Sequence, residues 1–281
     1  MKTIKCYATL ALLVLMGSCE KFTAESENAT PQESNDNVTL ALTENEIVKT
    51  ACKRVSFAVF KVDEKLHSIN HTLEDIKFGT AHVSLSPELY RIVAIGHNGD
   101  GNCSISAPEK ITFYNNKMTD TFYYYGILNV KDDKPLTDSI TLKRAVAMFR
   151  LHITDSIPIA AKRIRFYYTG GSSTLNSKTG LGCVNSKQTE TLDMVATKKD
   201  YDVYTFPQQD SSLLKIQVCI LDAMADTLVS RTFDKVKIYR NHITKYSGKM
   251  FGTGKPGDGD HIDIDFTFDP KWAGETITIF Q

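Results

Sequence analysis

The sequence has no excess of either charge sign. Its 33 Lys and Arg residues balance 33 Asp and Glu residues, which gives a formal net charge of zero. A chain that binds DNA or RNA needs a basic surface, so this balance argues against a nucleic acid as partner. Tryptophan is scarce, with one residue beside 12 tyrosines and 14 phenylalanines. Hydrophobic residues make up 42% of the 281 residues, which excludes a wholly disordered chain.

Long apolar runs are also missing. The longest lies near the N-terminus, at residues 7–16, and is shorter than the ~20 residues that a helix needs to cross a bilayer. It follows Lys2 and Lys5, so its charge and length are those of a secretory signal peptide. The run ends in Met16-Gly17-Ser18-Cys19. Small residues directly before a cysteine resemble the lipobox of bacterial lipoproteins.

That resemblance implies a signal peptide at residues 1–18, cleavage between Ser18 and Cys19, and acylation of the Cys19 thiol. Outer-membrane lipid would then be a partner through the acylated Cys19, because several acyl chains together hold a protein stably on a membrane. The alternative is an ordinary signal peptide with an incidental cysteine. The polar residues that follow have Phe22 as their only large apolar side chain up to residue 37, so we predict a flexible tether over residues 19–40.

Motifs for metal binding and catalysis are absent from the sequence. It contains no CxxC pair, no HExxH, no GxSxG and no Walker loop, so we expect neither an enzyme nor a cofactor nor a metal site. The pair His67 and His71 lies in a polar stretch. Acidic residues cluster near the C-terminus without the spacing of an EF-hand calcium loop: Asp258, Asp260, Asp263 and Asp265.

Four cysteines belong to the body of the chain: Cys52, Cys103, Cys183 and Cys219. They allow three pairings, and an exported protein permits disulfides. Cys219 lies in an apolar strand pattern, where a free thiol packs as a small hydrophobic group. The disulfide state therefore stays open at this point.

The body is a series of short apolar or alternating segments of the length of β-strands, separated by Gly, Asn and Asp: 53–62, 81–85, 89–95, 111–114, 122–128, 139–142, 145–154, 163–168, 203–206, 214–221, 235–239, 261–268 and 276–280. No long segment has the 3.6-residue period of an amphipathic helix. This pattern predicts an all-β protein of the sandwich type. The polar run at residues 131–137 divides the body, so we predict an N-terminal sandwich at 41–136 and a C-terminal sandwich at 137–281.

Three Asp-Ser/Thr-aliphatic triplets resemble the O-glycosylation signal of exported Bacteroidota proteins. Their hydroxyl residues are Ser139, Ser156 and Thr227. Three-residue patterns are common by chance, so these residues are candidates only.

Several segments together resemble the Bacteroidota fimbrillin superfamily, and within it the branch of fimbrial anchors and minor subunits. Residues 57–62 resemble its first long strand, and residues 83–98 its L-x-P-G-x-Y strand entry, although Glu88-Leu89 stands where the family has a glycine. Residues 119–122 and 140–147 resemble the join into its second domain, and 236–241 and 244–251 its later strands. Trp272, in Asp269-Pro-Lys-Trp272, matches a terminal tryptophan.

The resemblance implies two tandem transthyretin-like Greek-key β-sandwiches that assemble with other fimbrial subunits by exchanging β-strands. It implies an outer-membrane, surface-exposed fimbrial lipoprotein that supports adhesion. The polymerising shaft subunits of that superfamily lose their N-terminus to a protease at a basic site. The basic pairs of this sequence, Lys53-Arg54 and Lys143-Arg144, both fall in or beside apparent strands, where a protease would find little exposed loop. The best candidates for exchange are the alternating terminal segments: Ile262, Ile264, Phe266, Phe268, Ile277 and Ile279. The alternative is that these are ordinary final strands.

A second function stays open from the sequence. The alternative function is that of a surface glycan-binding lipoprotein, which is also all-β. The run of Tyr123, Tyr124 and Tyr125 is compatible with that function. Such a protein presents aromatic side chains to sugar rings.

Overall fold

A computed structural model describes residues 36–43, 50–252 and 272–280. The predictions for residues 1–35, which include Ser18 and Cys19, lie outside the described residues. So do those for Asp258, Asp260, Ile262, Asp263, Ile264, Asp265, Phe266 and Phe268. Within the described part, no helix has the length and apolarity that a bilayer span requires.

The first half of the described chain contains ten strands: β1 (Val38–Leu42), β2 (Arg54–Lys61), β3 (Glu64–Thr72), β4 (Thr80–Val83), β5 (Glu88–His97), β6 (Ser104–Ala107), β7 (Lys110–Thr112), β8 (Thr121–Val130), β9 (Leu136–Ile140) and β10 (Lys143–Arg144). Most of them form two sheets, in the orders β4-β1-β9 and β10-β8-β5-β2-β3. The two sheets pack on one core, which includes Val38, Phe57 and Ile92. We call this unit the first sandwich.

The second half contains ten more strands: β11 (Ala147–Ile153), β12 (Arg163–Gly171), β13 (Thr174–Asn176), β14 (Leu181–Gly182), β15 (Ser186–Asp193), β16 (Asp200–Thr205), β17 (Ser211–Leu221), β18 (Thr227–Tyr239), β19 (His242–Gly248) and β20 (Gly274–Phe280). Eight of them form two sheets, in the orders β16-β11-β19-β20 and β15-β12-β17-β18. They enclose a core that includes Phe149, Phe166 and Ile216. This unit is the second sandwich, and the prediction of an all-β sandwich protein is confirmed.

A small fifth sheet joins the two halves. The sheet β14-β13-β7-β6 takes two strands from each half, and Leu175 of β13 pairs with Ile111 of β7. Beneath it lies a third core, the junction core, with Phe60, Ile95, Phe206, Ile243 and Trp272 among its members. The two sandwiches are therefore connected by both backbone pairing and apolar packing.

The predicted division at residues 136 and 137 is not tested by the fold and stays a prediction. The described residues from Asp36 onward group as one compact unit. β9 pairs in parallel with β1, and β10 pairs with β8. Both strands therefore belong to sheets of the first sandwich, and the sheets of the second sandwich begin with β11. The strand β1 begins at Val38, inside the range predicted as tether.

Several strands were not predicted from the sequence, and β3 and β15 are two of them that carry little apolar pattern. β3 contains His67 and His71, and β15 runs through Ser186–Asp193; each is an edge strand of its sheet. An edge strand with one face in solvent needs few apolar residues, so its sequence resembles a loop. Since His67 and His71 lie four residues apart on an extended strand, their Cα atoms are ~13 Å apart, too far to share one metal ion.

Candidate interaction site at the C-terminal strand

The last strand, β20, lies at the edge of the second sandwich. It pairs in parallel with β19, with His242 opposite Gly274 and Gly248 opposite Phe280. This confirms the strand predicted at residues 276–280, and it places Ile277 opposite Lys245 and Ile279 opposite Ser247. No other strand of the described residues pairs with β20. Among the described residues, one row of its backbone N–H and C=O groups has no partner strand, and a further strand could pair there.

Trp272 stands directly before β20 and is almost fully buried, with 7% of its surface exposed. Its ring stacks on Tyr204 of β16, with ring centroids 6.5 Å apart and an interplanar angle of 25°. The backbone N–H of Ala273 donates to the Asn241 carbonyl at 2.9 Å. These contacts attach the start of β20 to the sheet and to the turn between β18 and β19.

Arg144 also packs against the Trp272 ring. The centre of its guanidinium group lies 4.0 Å from the centroid of the Trp272 ring and 4.7 Å from that of Phe122. Both contacts are of the cation–π kind, which gain strength where water is excluded, and the Arg144 side chain is only 5% exposed. We call Arg144, Asp120, Phe122 and Trp272 the clasp.

The charge of Arg144 is compensated inside the clasp. Its Nε donates to Oδ1 of Asp120 at 2.7 Å and its Nη2 donates to Oδ2 at 3.0 Å, a bidentate pair. Nη1 donates to the Asn241 side-chain oxygen at 3.3 Å. A buried guanidinium is tolerated when its donors are satisfied in this way. Asp120 and Phe122 belong to the first half and Asn241 and Trp272 to the second, so the clasp crosses the junction.

The sequence analysis singled out Arg144 and Trp272 separately and did not predict that they are in contact. Lys143-Arg144 drew attention as a basic pair and Trp272 as a terminal tryptophan. Neither signal predicts that the two side chains meet, because 128 positions of numbering separate residues 144 and 272.

The three candidate O-glycosylation residues are all accessible. Ser139 lies in β9, Ser156 in the loop between β11 and β12, and Thr227 at the start of β18, and each is exposed. The preceding aspartate of the second triplet also has a structural role. The carboxylate of Asp155 accepts the backbone N–H groups of Met250 and Phe251 at 3.0 and 2.7 Å.

All four cysteines of the body are free thiols in the structure. Burial raises the pKa of Cys52 to about 12 and that of Cys103 to about 11, while Cys183 is exposed. Cys219 packs in β17 as a buried thiol, as its apolar strand pattern suggested.

Comparison with known proteins gives one family and a set of distant structures. The sequence model of a family described as "Family of unknown function (DUF6562)" matches residues 102–280. No curated protein matches the chain.

Among solved structures, a candidate adhesin from Bacteroides ovatus is 12% identical with a TM-score of 0.48, over 79% of this chain and 88% of that one. A candidate polysaccharide-binding protein from Bacteroides thetaiotaomicron is 10% identical with a TM-score of 0.45, over 69% and 78%. The C-terminally truncated tip fimbrial protein Mfa3 from Porphyromonas gingivalis is 9% identical with a TM-score of 0.41, over 77% and 96%.

At these identities and TM-scores the likeness does not indicate what this chain binds. The family match is of a different kind, since it covers residues 102–280 of the 281-residue chain. The chain therefore belongs to the family of unknown function DUF6562.

Proposed function

We propose that the chain is a lipid-anchored subunit of a surface fimbria, an anchor or minor subunit, that joins neighbouring subunits by β-strand exchange and supports adhesion. The acylated Cys19 would hold it on the outer membrane. The sandwiches would form part of the polymer.

The observation that carries this proposal is the position of β20. Within the described residues it is the last strand, it lies at the edge of its sheet, and β19 is its one partner strand. A strand in that position can leave its own sheet and pair with another subunit at the cost of one ladder of hydrogen bonds. In such an exchange, backbone bonds supply affinity and alternate side chains supply specificity.

The clasp fixes Trp272 in the junction core, just before β20 begins. Trp272 belongs to the junction core, so removing it would open the interior. Residues 274–280 follow the clasp, so β20 can change partners while Trp272 stays in place. This arrangement suits a strand that is exchanged without unfolding either sandwich.

The anchor is tested by labelling cells with radioactive palmitate. The wild-type chain should incorporate label and Cys19→Ser should not, while Cys183→Ser, which removes an exposed thiol of the body, should label like the wild type. Mild shearing should leave the protein with the membrane. A wild-type chain without label, or one released with the sheared fimbriae, would contradict the anchor.

Strand exchange is tested by charges on one face of β20. Residues i and i+2 of a strand face the same side. The double variant Ile277→Asp with Ile279→Asp therefore places two negative charges at the apolar positions of β20. The double variant Thr276→Asp with Thr278→Asp places the same two charges at the alternate positions and serves as the control. We expect the isoleucine variant to lose co-purification with fimbrial subunits and the threonine variant to keep it. If both variants still co-purify, exchange through β20 is refuted and the anchor is unaffected.

A further inference from the structure

A cleft of about 280 Å³ lies beside the middle of β8. Its lining combines aromatic rings, hydroxyl groups and an ammonium group: Tyr123, Tyr124, Tyr125, Ser139, Thr141 and Lys143. Ser177 and Lys178, which follow β13, complete it. A concave site with aromatic walls and a few convergent polar groups is the usual form of a small-molecule site.

A second cleft of about 520 Å³ shares Tyr123 and Lys143 with the first. It adds Arg240 and Asn241, which lie in the turn after β18. Nη1 of Arg240 lies 3.5 Å from the Tyr123 hydroxyl. Because the two clefts share Tyr123 and Lys143, we call them together the tyrosine groove.

Two glycines make room for the tyrosine rings. A Cβ at Gly126 would overlap the Tyr124 hydroxyl, and a Cβ at Gly180 would overlap the Tyr123 ring. Gly180 also has a φ of +71°, which favours glycine. The rings therefore occupy space that only glycine leaves free. Rings held in place in the free protein lose little entropy on binding.

The charges of the tyrosine groove are unevenly compensated. Lys178 pairs with Glu109, and Arg240 pairs with Asp210 at 3.0 Å. Lys143 is exposed and has no carboxylate partner among the described residues. No Asp or Glu of the described chain lines either cleft. Asp138 lies beside Ser139 in β9, and burial raises its pKa. Burial and then the charge of Asp138 raise the pKa of Tyr124. An anionic group on the ligand would therefore meet Lys143.

We propose that the tyrosine groove binds an acidic saccharide, a uronic-acid or sulfated oligosaccharide. The apolar face of a pyranose ring packs on an aromatic ring, and sugar hydroxyls match those of Ser139, Thr141 and the tyrosines. The Ser177 hydroxyl is buried and donates to the Pro108 carbonyl at 2.7 Å. Three phenols and the exposed hydroxyls of Ser139 and Thr141 line the first cleft, beside one cation that has no carboxylate partner among the described residues. That ratio suits a polyol with one acidic group per ring better than an acidic peptide, which offers carboxylates and few hydroxyls. This activity goes beyond the fimbrial role and does not depend on Cys19.

Ser139 connects this proposal with glycosylation. It is a candidate O-glycosylation residue and also lines the groove, so a glycan attached there would fill the site from within. A molecule modified at Ser139 should therefore not bind a free saccharide.

The test is calorimetric titration of the full chain, unmodified at Ser139, in detergent. The probes are hexagalacturonic acid, a heparin hexasaccharide, neutral maltohexaose and hexaglutamate. We expect one of the two acidic saccharides to bind at least tenfold more tightly than maltohexaose or hexaglutamate. Lys143→Gln should weaken that binding about tenfold or more, because it removes a charge-assisted hydrogen bond. Lys187→Gln, at an exposed position of β15 outside both clefts, should leave it unchanged.

Tyr125→Phe and Tyr125→Leu extend the test to the rings. The first keeps the aromatic face and should bind within a few-fold of the wild type, whereas the second should bind much more weakly, with thermal unfolding measured for every variant. Four results would overturn the proposal: neither acidic saccharide binds, maltohexaose binds equally well, hexaglutamate binds equally well, or the two lysine variants weaken binding alike. Because Lys143→Gln alters only an exposed side chain, a folding failure of the tyrosine variants leaves the test decisive.

Discussion

The central sheets of the two sandwiches bury their faces differently. In β2 of the first sandwich, six consecutive residues from Val55 to Phe60 are buried. In β12 of the second, buried residues alternate with partly or fully exposed ones as far as Tyr168. The reason is that β2 has a core on each face: Phe57 lies in the first sandwich core and Phe60 in the junction core. The outer face of β12 carries residues such as Tyr167, which is 39% exposed.

The second sandwich therefore covers a face of the first sandwich that would otherwise be exposed. A sheet with both faces covered is a continuous apolar run in sequence, and one with a single covered face alternates. The central sheet of the first sandwich would expose Ala58, Phe60, Val93 and Ile95 without its neighbour. An exposed apolar patch of that kind is a liability in an isolated domain, so we expect the sandwiches to unfold together.

The largest effect is expected for Phe60→Ala. Removing a fully buried ring from the junction core should lower the free energy of unfolding by about 3–5 kcal/mol. Tyr167→Ala, the matched change on the outer face of β12, should cost less than about 1 kcal/mol. Urea unfolding followed by circular dichroism measures both. Equal costs would mean that the junction core does not stabilise the first sandwich.

A comparable effect should follow from breaking the clasp. Asp120→Ala leaves the Arg144 guanidinium buried without its carboxylate, which should cost about 3 kcal/mol or more. The double variant Asp120→Leu with Arg144→Met removes both charges and should recover most of that loss. Fluorescence of Trp272, the single tryptophan, should report the change directly. If the double variant is as unstable as the single one, the charge pair is not what matters.

A smaller effect should depend on pH through His97. Burial lowers the pKa of His97 to about 4 from its ordinary 6.5, because the desolvated ring disfavours charge. Between these values the unfolded chain binds a proton that the folded chain does not, so stability falls as the pH falls from 6.5 towards 4. From pH 7 to pH 5 this loss should be about 2 kcal/mol.

The control for His97 is His97→Gln, which does not titrate in this range. Comparison of the two proteins by urea unfolding at pH 7 and pH 5 isolates the histidine from other groups. Equal pH dependence in both would show that His97 is not buried in the neutral form. Since His97 ends β5 beside Phe113 of the junction core, a loss confined to the wild type would support burial at this interface.

The smallest effect is on reactivity and involves no loss of stability. Among the body cysteines, Cys183 should react first with a thiol reagent, because Cys52 and Cys103 are buried with raised pKa values. Mild urea should expose Cys103 of the junction core and Cys52 of the first sandwich core together if the sandwiches unfold as one. Mass spectrometry of labelled peptides checks this. Separate labelling of the two would contradict joint unfolding.

Several parts of this molecule were predictable from sequence alone. The strands with strong apolar patterns, such as β2, β5, β11, β17 and β20, were found, since local periodicity determines which side chains a strand can bury. Edge strands such as β3 and β15 were missed because solvent on one face removes that signal. The sequence predicted one part of the candidate C-terminal site, the strand at residues 276–280. It did not predict the parallel pairing of that strand with β19.

The fold class could be predicted from the sequence, because alternation and turn residues act over a few positions and need no distant partner. The sequence also identified Ser18 and Cys19, the residues that carry the lipid-anchor hypothesis. Which distant groups meet is seen in the folded chain alone: Arg144 with Phe122 and Trp272, the shared sheet of β7 and β13, and the tyrosine groove with Lys143. Contacts of that kind depend on how two sandwiches dock, and docking follows from the shape and burial of whole surfaces rather than from any local pattern.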